Sequence, residues 1–212
     1  MDVARPYAAV TGGGLEGEVL AVLAGTTKPL TGREVARLAR RGSDRGIRLA
    51  LNRLAEHGLV DTLEAPPAVL YTLNREHIAA PVALALVDLR SALFDRLREA
   101  IGSWAVPAAH ASLFGSAARG DGDTESDIDV FIVRPATVSV EDSQWRAQLD
   151  ALSHDVARST GNHAGISELG EDELPQLLAE RPPVVAELER ESVTLAGPDA
   201  RRLFTAATGS GE

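Results

Sequence analysis

Two aspartates two residues apart, Asp127 and Asp129, border the apolar run Ile128-Asp129-Val130-Phe131-Ile132-Val133. Side chains alternate faces along a strand, so both carboxylates leave the same side, about 6.7 Å apart along the chain. Carboxylates this close repel each other unless a cation lies between them, and a hard divalent ion, Mg2+ or Mn2+, suits oxygen ligands of this kind. Ile128, Val130 and Ile132 face the other way, into apolar packing. Upstream, Gly115-Ser116 follows a short apolar strand, Ala111 to Phe114. Glycine lets the backbone turn tightly and a ligand approach. The amides of 115–118 and the Ser116 hydroxyl are then expected to face an anion. Arg119 adds a positive charge. A phosphate cradle beside a metal-binding pair suits transfer of a nucleotidyl group from a nucleoside triphosphate.

The string GSAARGDGDTESDID, residues 115–129, resembles the core motif of the polymerase beta-like nucleotidyltransferases, and among them the small "minimal" bacterial members. The resemblance implies that Gly115 and Ser116 contact the triphosphate, that Arg119 and Ser126 shape its phosphate side, and that Asp127 and Asp129 bind the metals. The family also uses a third carboxylate on a later strand. The matching stretch here is GNHAGISELG, residues 161–170, and the acidic position falls near Gly165, which has no side chain. Glu168 is close by, but strand alternation puts it on the opposite face from Gly165 unless a bulge intervenes. The third acid is therefore either Glu168, through a local distortion, or absent. His163 shares Gly165's parity.

These residues need scaffolding, and the chain supplies it in three parts. Leu15, Val19, Leu20, Val22 and Leu23 predict a first helix, up to Gly25. Thr31 with Glu34 predicts a capping box that opens a second helix. Ser43 predicts the cap of a third, through Ile47, Leu51 and Leu54 to Gly58. A hairpin is expected next, strands 59–63 and 68–73 around a turn at Glu64–Pro67. The stretch TGREVARLARRGSDRGIRLALNRLAEHGLVDTL resembles the winged helix-turn-helix domains of bacterial transcription regulators. That resemblance implies a third helix entering the major groove of double-stranded DNA, with Arg41, Ser43, Arg45 and Arg48 as contacts. Protein interaction or dimerisation is the alternative use of such a unit. Residues 75–104 predict a long amphipathic connector helix starting near Pro81. Its broad apolar stripe could pack within the chain or pair two copies as a homodimer.

The expected fold class is α+β. It comprises a winged helix at 1–74, a connector at 75–104, and a nucleotidyltransferase-like domain at 105–212, built as a mixed sheet with flanking helices. Acidic residues Glu171, Asp172 and Glu173 are placed to open a helix, and the tail from Thr208 to Glu212 is expected to fray.

Composition narrows the function further. The 212 residues contain no cysteine, which excludes a disulfide scaffold, a cysteine-ligated zinc finger and a cysteine nucleophile, and fits a reducing cytosol. The net charge of −10 argues against a general polyanion binder. That charge is uneven. Residues 1–80 hold 10 basic and 9 acidic side chains, whereas 81–212 hold 11 and 22. Nothing approaches about 18 uninterrupted apolar residues, so no membrane partner is expected and the protein is read as cytoplasmic. His57, His77, His110 and His154 lack metal-ligand spacing, and Trp104 and Trp145 read as packing residues. Three functions follow: a metal-dependent nucleotidyltransferase acting on an unidentified acceptor, a DNA-binding regulator whose transferase-like domain only binds nucleotide, or a toxin–antitoxin component.

Overall fold

A computed structural model describes residues 1–209. The architecture is α+β with two separate sheets. The chain divides into two compact units, one formed by Arg5–Ser91 and the other by Met1–Ala4 together with residues from Ala92 onward.

The 5–91 unit holds α1 (Ala8–Thr11), α2 (Leu15–Ala24), β1 (Leu30–Thr31), α3 (Gly32–Leu38), α4 (Asp44–Glu56), β2 (Val60–Ala65) and β3 (Ala68–Leu73). The caps read from the sequence form. Glu34 N–H donates to Thr31 Oγ1 at 3.2 Å, and the Glu34 carboxylate accepts from Thr31 N–H at 2.7 Å. Gly46 N–H donates to Ser43 Oγ at 3.2 Å. Val19, Leu23, Val35, Ile47, Leu51, Val60 and Tyr71 are buried together in its core. The hairpin differs from expectation. Strand pairing runs through Glu64↔Val69 to Ala65↔Ala68, so the turn is only Pro66–Pro67. The two prolines take positions where no ladder N–H is needed, which lets Glu64 and Ala65 stay in the strand. β1 was not foreseen. It is two residues long and pairs with β3, giving the order β1-β3-β2.

Helix α5 (Ala80–Gly102) follows, with Pro81 in its first turn. Ala83 packs in the first core, and Leu93, Leu97 and Ile101 pack in the core of the other unit.

That other unit contains β4 (His110–Phe114), α6 (Gly115–Arg119), β5 (Ile128–Arg134), α7 (Ser143–Thr160) and β6 (Ala164–Gly170). A 3-10 turn over Glu171–Glu173 then leads into α8 (Leu174–Glu180), α9 (Pro183–Glu191), β7 (Val193–Ala196) and α10 (Ala200–Gly209). The sheet order is β6-β5-β4-β7, with β5 and β6 parallel and the other pairs antiparallel. Strand alternation divides its core in two. Leu113, Ile128, Val130 and Ile132 meet α5 and the Trp145, Leu152 and Val156 side of α7. Phe114, Phe131 and Val133 meet Leu174, Val185, Leu188, Leu203 and Phe204 on α8, α9 and α10. Trp104 and Trp145 pack edge to face, 5.5 Å between ring centroids. The expected fraying is not seen at Thr208 and Gly209, which complete α10; residues 210–212 lie outside the described residues.

Candidate functional site

β4 ends at Phe114, opposite Asp129 on β5. The turn from β4 into α6 therefore falls beside the start of β5, where the two aspartates are. Gly115 makes that turn at φ +66°, a left-handed conformation that side-chain-bearing residues rarely adopt. It also leaves room, since a Cβ on Gly115 would lie 2.5 Å from Asp129 Oδ2. Across β5, Asp129 pairs with Gly165 of β6. A Cβ there would lie 2.6 Å from Asp129 Oδ1. The Asp129 carboxylate thus occupies a cradle between two glycines. It is half-buried on the face that carries Phe131 and Val133, while Asp127 is exposed just before the strand.

Burial first, then the like charges of Asp127 and Glu187, push the Asp129 carboxyl above its usual range, and Arg119 works against that shift. The ionised form is held at a cost that a nearby cation would relieve. Among the described residues no group of three His, Asp or Glu side chains is arranged to hold a metal ion. The donor set is instead two carboxylates with open space around one of them. This fits Mg2+, which ordinarily takes one or two protein carboxylates and completes its shell with substrate phosphates and water.

Ser116 opens α6 and is half-buried. The loop between α6 and β5 folds over it, so that a Cβ on Gly122 would lie 2.8 Å from Ser116 Oγ and 3.3 Å from the Ser126 Cβ. Ser116 and Ser126 are therefore brought together across Gly122. The Ser126 hydroxyl is committed within the loop, donating to Asp123 Oδ1 and accepting from Asp123 N–H, both at 2.9 Å.

Arg119, the last residue of α6, is exposed and held by carboxylates. Its guanidinium pairs with Asp121 at 3.1 Å, Glu187 at 2.7 Å and Glu191 at 3.4 Å. Glu187 and Glu191 lie one turn apart on α9, and both reach the same arginine. Sequence reasoning missed them. Their i, i+4 spacing was visible, but nothing in the sequence says which helix α9 faces.

Glu168 does not join the two aspartates. The β5–β6 register runs from Ile128↔Ala164 to Arg134↔Gly170 without a bulge, and Glu168 stands opposite Ile132. Strict alternation sends it to the α7 face. There its carboxylate accepts from Arg134 Nε and from the Trp145 indole N–H, both at 2.9 Å. The expectation of a third acid through local distortion is corrected on this geometry: no bulge forms, and the position beside Asp129 is glycine.

The four residues expected to contact DNA separate into two pairs. Arg41 lies 3.5 Å from the buried Glu18 carboxylate, and the Ser43 hydroxyl is spent capping α4. Arg45 and Arg48 are exposed on α4, and neither forms an ion pair among the described residues.

The family model described as "Nucleotidyltransferase domain" matches residues 95–173, a span that contains β4, α6, β5 and β6. A nucleotidyltransferase domain is present in this chain. No curated protein matches it. Among solved structures, a toxin–antitoxin complex with AMP-PNP is similar at 12% identity, covering 55% of this chain and 85% of that one, with a TM-score of 0.36. A mutant of the MntA-HpeT toxin–antitoxin is similar at 11% identity over the same shares, with a TM-score of 0.37. Among the described residues no helix is long and apolar enough to cross a membrane.

Proposed function

We propose that this protein is a metal-dependent nucleotidyltransferase. In this reading an acceptor hydroxyl attacks the α-phosphorus of a nucleoside triphosphate. The nucleoside monophosphate is transferred, pyrophosphate leaves, and the hydroxyl proton is released. The observation that carries the reading is the Asp129 carboxylate, cradled between Gly115 and Gly165, within the span that the nucleotidyltransferase family model matches.

Asp127 and Asp129 would hold the divalent ion, Mg2+ or Mn2+. Such an ion, when bound, supplies charge neutralisation for the triphosphate and polarises its oxygens. Ser116 would donate its hydroxyl to the phosphates; among the described residues that hydroxyl has no hydrogen-bond partner. Ser126 would act through the loop, because its hydroxyl is engaged with Asp123. Arg119 is tied to carboxylates through Nε and Nη1 and would offer its Nη2 to the phosphates.

A second reading has its own support. No carboxylate stands at position 165, and Glu168 is engaged with Arg134 and Trp145. On that basis the domain would bind nucleotide and transfer it slowly or not at all, with regulation as its role. The exposed Arg45 and Arg48 on α4 support a DNA-binding use of the N-terminal unit under either reading.

One experiment separates these. The protein is incubated with α-labelled nucleoside triphosphates, Mg2+ and cell lysate, and nucleotide binding is titrated in parallel. Transfer that disappears in Asp127→Ala/Asp129→Ala supports the enzyme. Mg2+-dependent binding without transfer supports the regulator. A double variant that binds Mg2+ and nucleotide as well as the parent would sink both.

A further inference from the structure

Asp127 is exposed and lies between the loop 120–126 and strand β5, and its backbone is clamped from both sides. The carbonyl before it, on Ser126, accepts from Asn162 Nδ2 at 2.8 Å. The N–H after it, on Ile128, donates to the His163 carbonyl at 2.8 Å. Both partners come from the short segment joining α7 to β6. Asn162 is 3% exposed, and its Nδ2 also lies 3.5 Å from the Asp123 carbonyl. A buried amide that bridges two loop carbonyls fixes the loop's path rather than its own strand.

Asn162 is itself pinned. Its N–H donates to Thr160 Oγ1 at 3.0 Å, and its Oδ1 accepts from the Met1 nitrogen. The Met1 nitrogen also donates to the Thr160 carbonyl at 2.6 Å. Val3, 1% exposed, is buried in the core beside Ile128 and Trp145. Ala4 N–H then donates to the Gly122 carbonyl at 3.0 Å. The first four residues thus run as a strap from the end of α7 to the loop that covers Ser116.

We infer that Asn162, backed by the strap Met1–Ala4, is a positioning residue that sets Asp127 for metal and nucleotide. This rests on the reading of Asp127 and Asp129 given above. Asn162 touches no substrate. It acts by removing the freedom that Asp127 would otherwise lose on binding, so its effect lies in affinity for the metal–nucleotide complex.

The test uses the full chain and three variants. Asn162→Ala removes the clamp, Asn162→Asp keeps the oxygen that faces Met1 but loses the donor to Ser126, and Val3→Ala loosens the strap. Hydrogen exchange is read over residues 120–128, and binding of Mg2+ with a non-hydrolysable nucleoside triphosphate is titrated. Asn162→Ala is expected to speed exchange in that segment and to weaken binding about tenfold, the loss expected from one hydrogen bond of this kind. Raising the Mg2+ concentration should restore binding in Asn162→Ala but not in Asp127→Ala. Because a bound ligand also rescues a merely destabilised chain, the folded fraction is measured under the titration conditions. Weaker binding in a fully folded Asn162→Ala supports positioning, and a loss that only tracks the unfolded fraction overturns it. Should Asn162→Ala fail to fold, Asn162→Asp and Val3→Ala carry the same expectation with smaller amplitude. Unchanged exchange overturns the clamp. Faster exchange with unchanged affinity overturns the positioning role. A parent that binds no Mg2+ and nucleotide overturns the proposed function and the positioning role with it, while exchange still decides the clamp.

Discussion

At the scale of single residues, the site is defined as much by missing side chains as by those present. Gly165 stands where the resemblance put an acid, and the Asp129 carboxylate fills the space a Cβ would take. Gly165→Ala should therefore displace Asp129. Binding of Mg2+ and nucleotide should weaken about tenfold or more, with little change in melting temperature, because alanine is at least as well tolerated as glycine inside a strand. Unchanged affinity in a titration would refute this. Glu168 predicts the reverse. It joins Arg134 and the Trp145 indole on the other face of the sheet. Glu168→Ala should cost about 1–3 kcal/mol in denaturant unfolding, since it leaves two donors unpaired. Glu168→Gln should cost less, because its amide oxygen still accepts from Trp145. Nucleotide binding per folded molecule should hold in both variants. A well-folded Glu168→Gln that loses transfer would return Glu168 to the chemistry.

At the scale of elements, the turn from β7 into α10 closes the sheet edge and carries two separate constraints. Gly197 turns at φ +74°, and a Cβ there would run into the Ala109 carbonyl and the His110 backbone, neither of which can swing away. Gly197→Ala should therefore destabilise this unit by about 1–3 kcal/mol, read as a shift in the denaturant midpoint. The neighbouring carbonyl, on Pro198, lies 2.7 Å from His110 Nδ1. A carbonyl can only accept, so Nδ1 carries the proton, and in the neutral ring Nε2 accepts from Ser112 Oγ at 3.0 Å. Burial pushes the His110 pKa down, with the Pro198 carbonyl and Asp199 opposing. The unfolded chain then takes up a proton on this histidine more readily than the folded one. Its contribution to stability is whole above the ordinary histidine value of about 6.5 and is lost as pH falls below it. Unfolding measured at pH 7.5 and 5.5 should show an acid penalty that His110→Gln reduces. An equal penalty in the variant would remove His110 as its source.

At the scale of the whole chain, charge is divided between a nearly balanced N-terminal stretch and a strongly acidic remainder. Any affinity for duplex DNA must then come from local arginines rather than from net charge. Arg45 and Arg48 are exposed on α4, whereas Arg41 faces Glu18 and Arg53 pairs with Glu16. Arg45→Ala/Arg48→Ala should weaken duplex binding and lower the slope of log affinity against log salt by about 2, one phosphate contact per arginine. Binding unaffected by salt would make this unit a protein-contact module.

What the sequence determined by itself was local. Helix caps at Thr31 and Ser43, the long helix from Pro81, and the shared face of Asp127 and Asp129 follow from neighbours a few residues apart, through backbone geometry that does not depend on the rest of the chain. Even the doubt over Glu168 was legible, because strand parity is a local rule. Tertiary structure decided everything that joins distant segments: the Phe114↔Asp129 register, the absence of a bulge in β6, Glu187 and Glu191 on Arg119, and Asn162 with the first four residues around Asp127. These contacts are selected by how apolar faces and buried polar groups are satisfied together across the core, and no spacing along the chain encodes that choice.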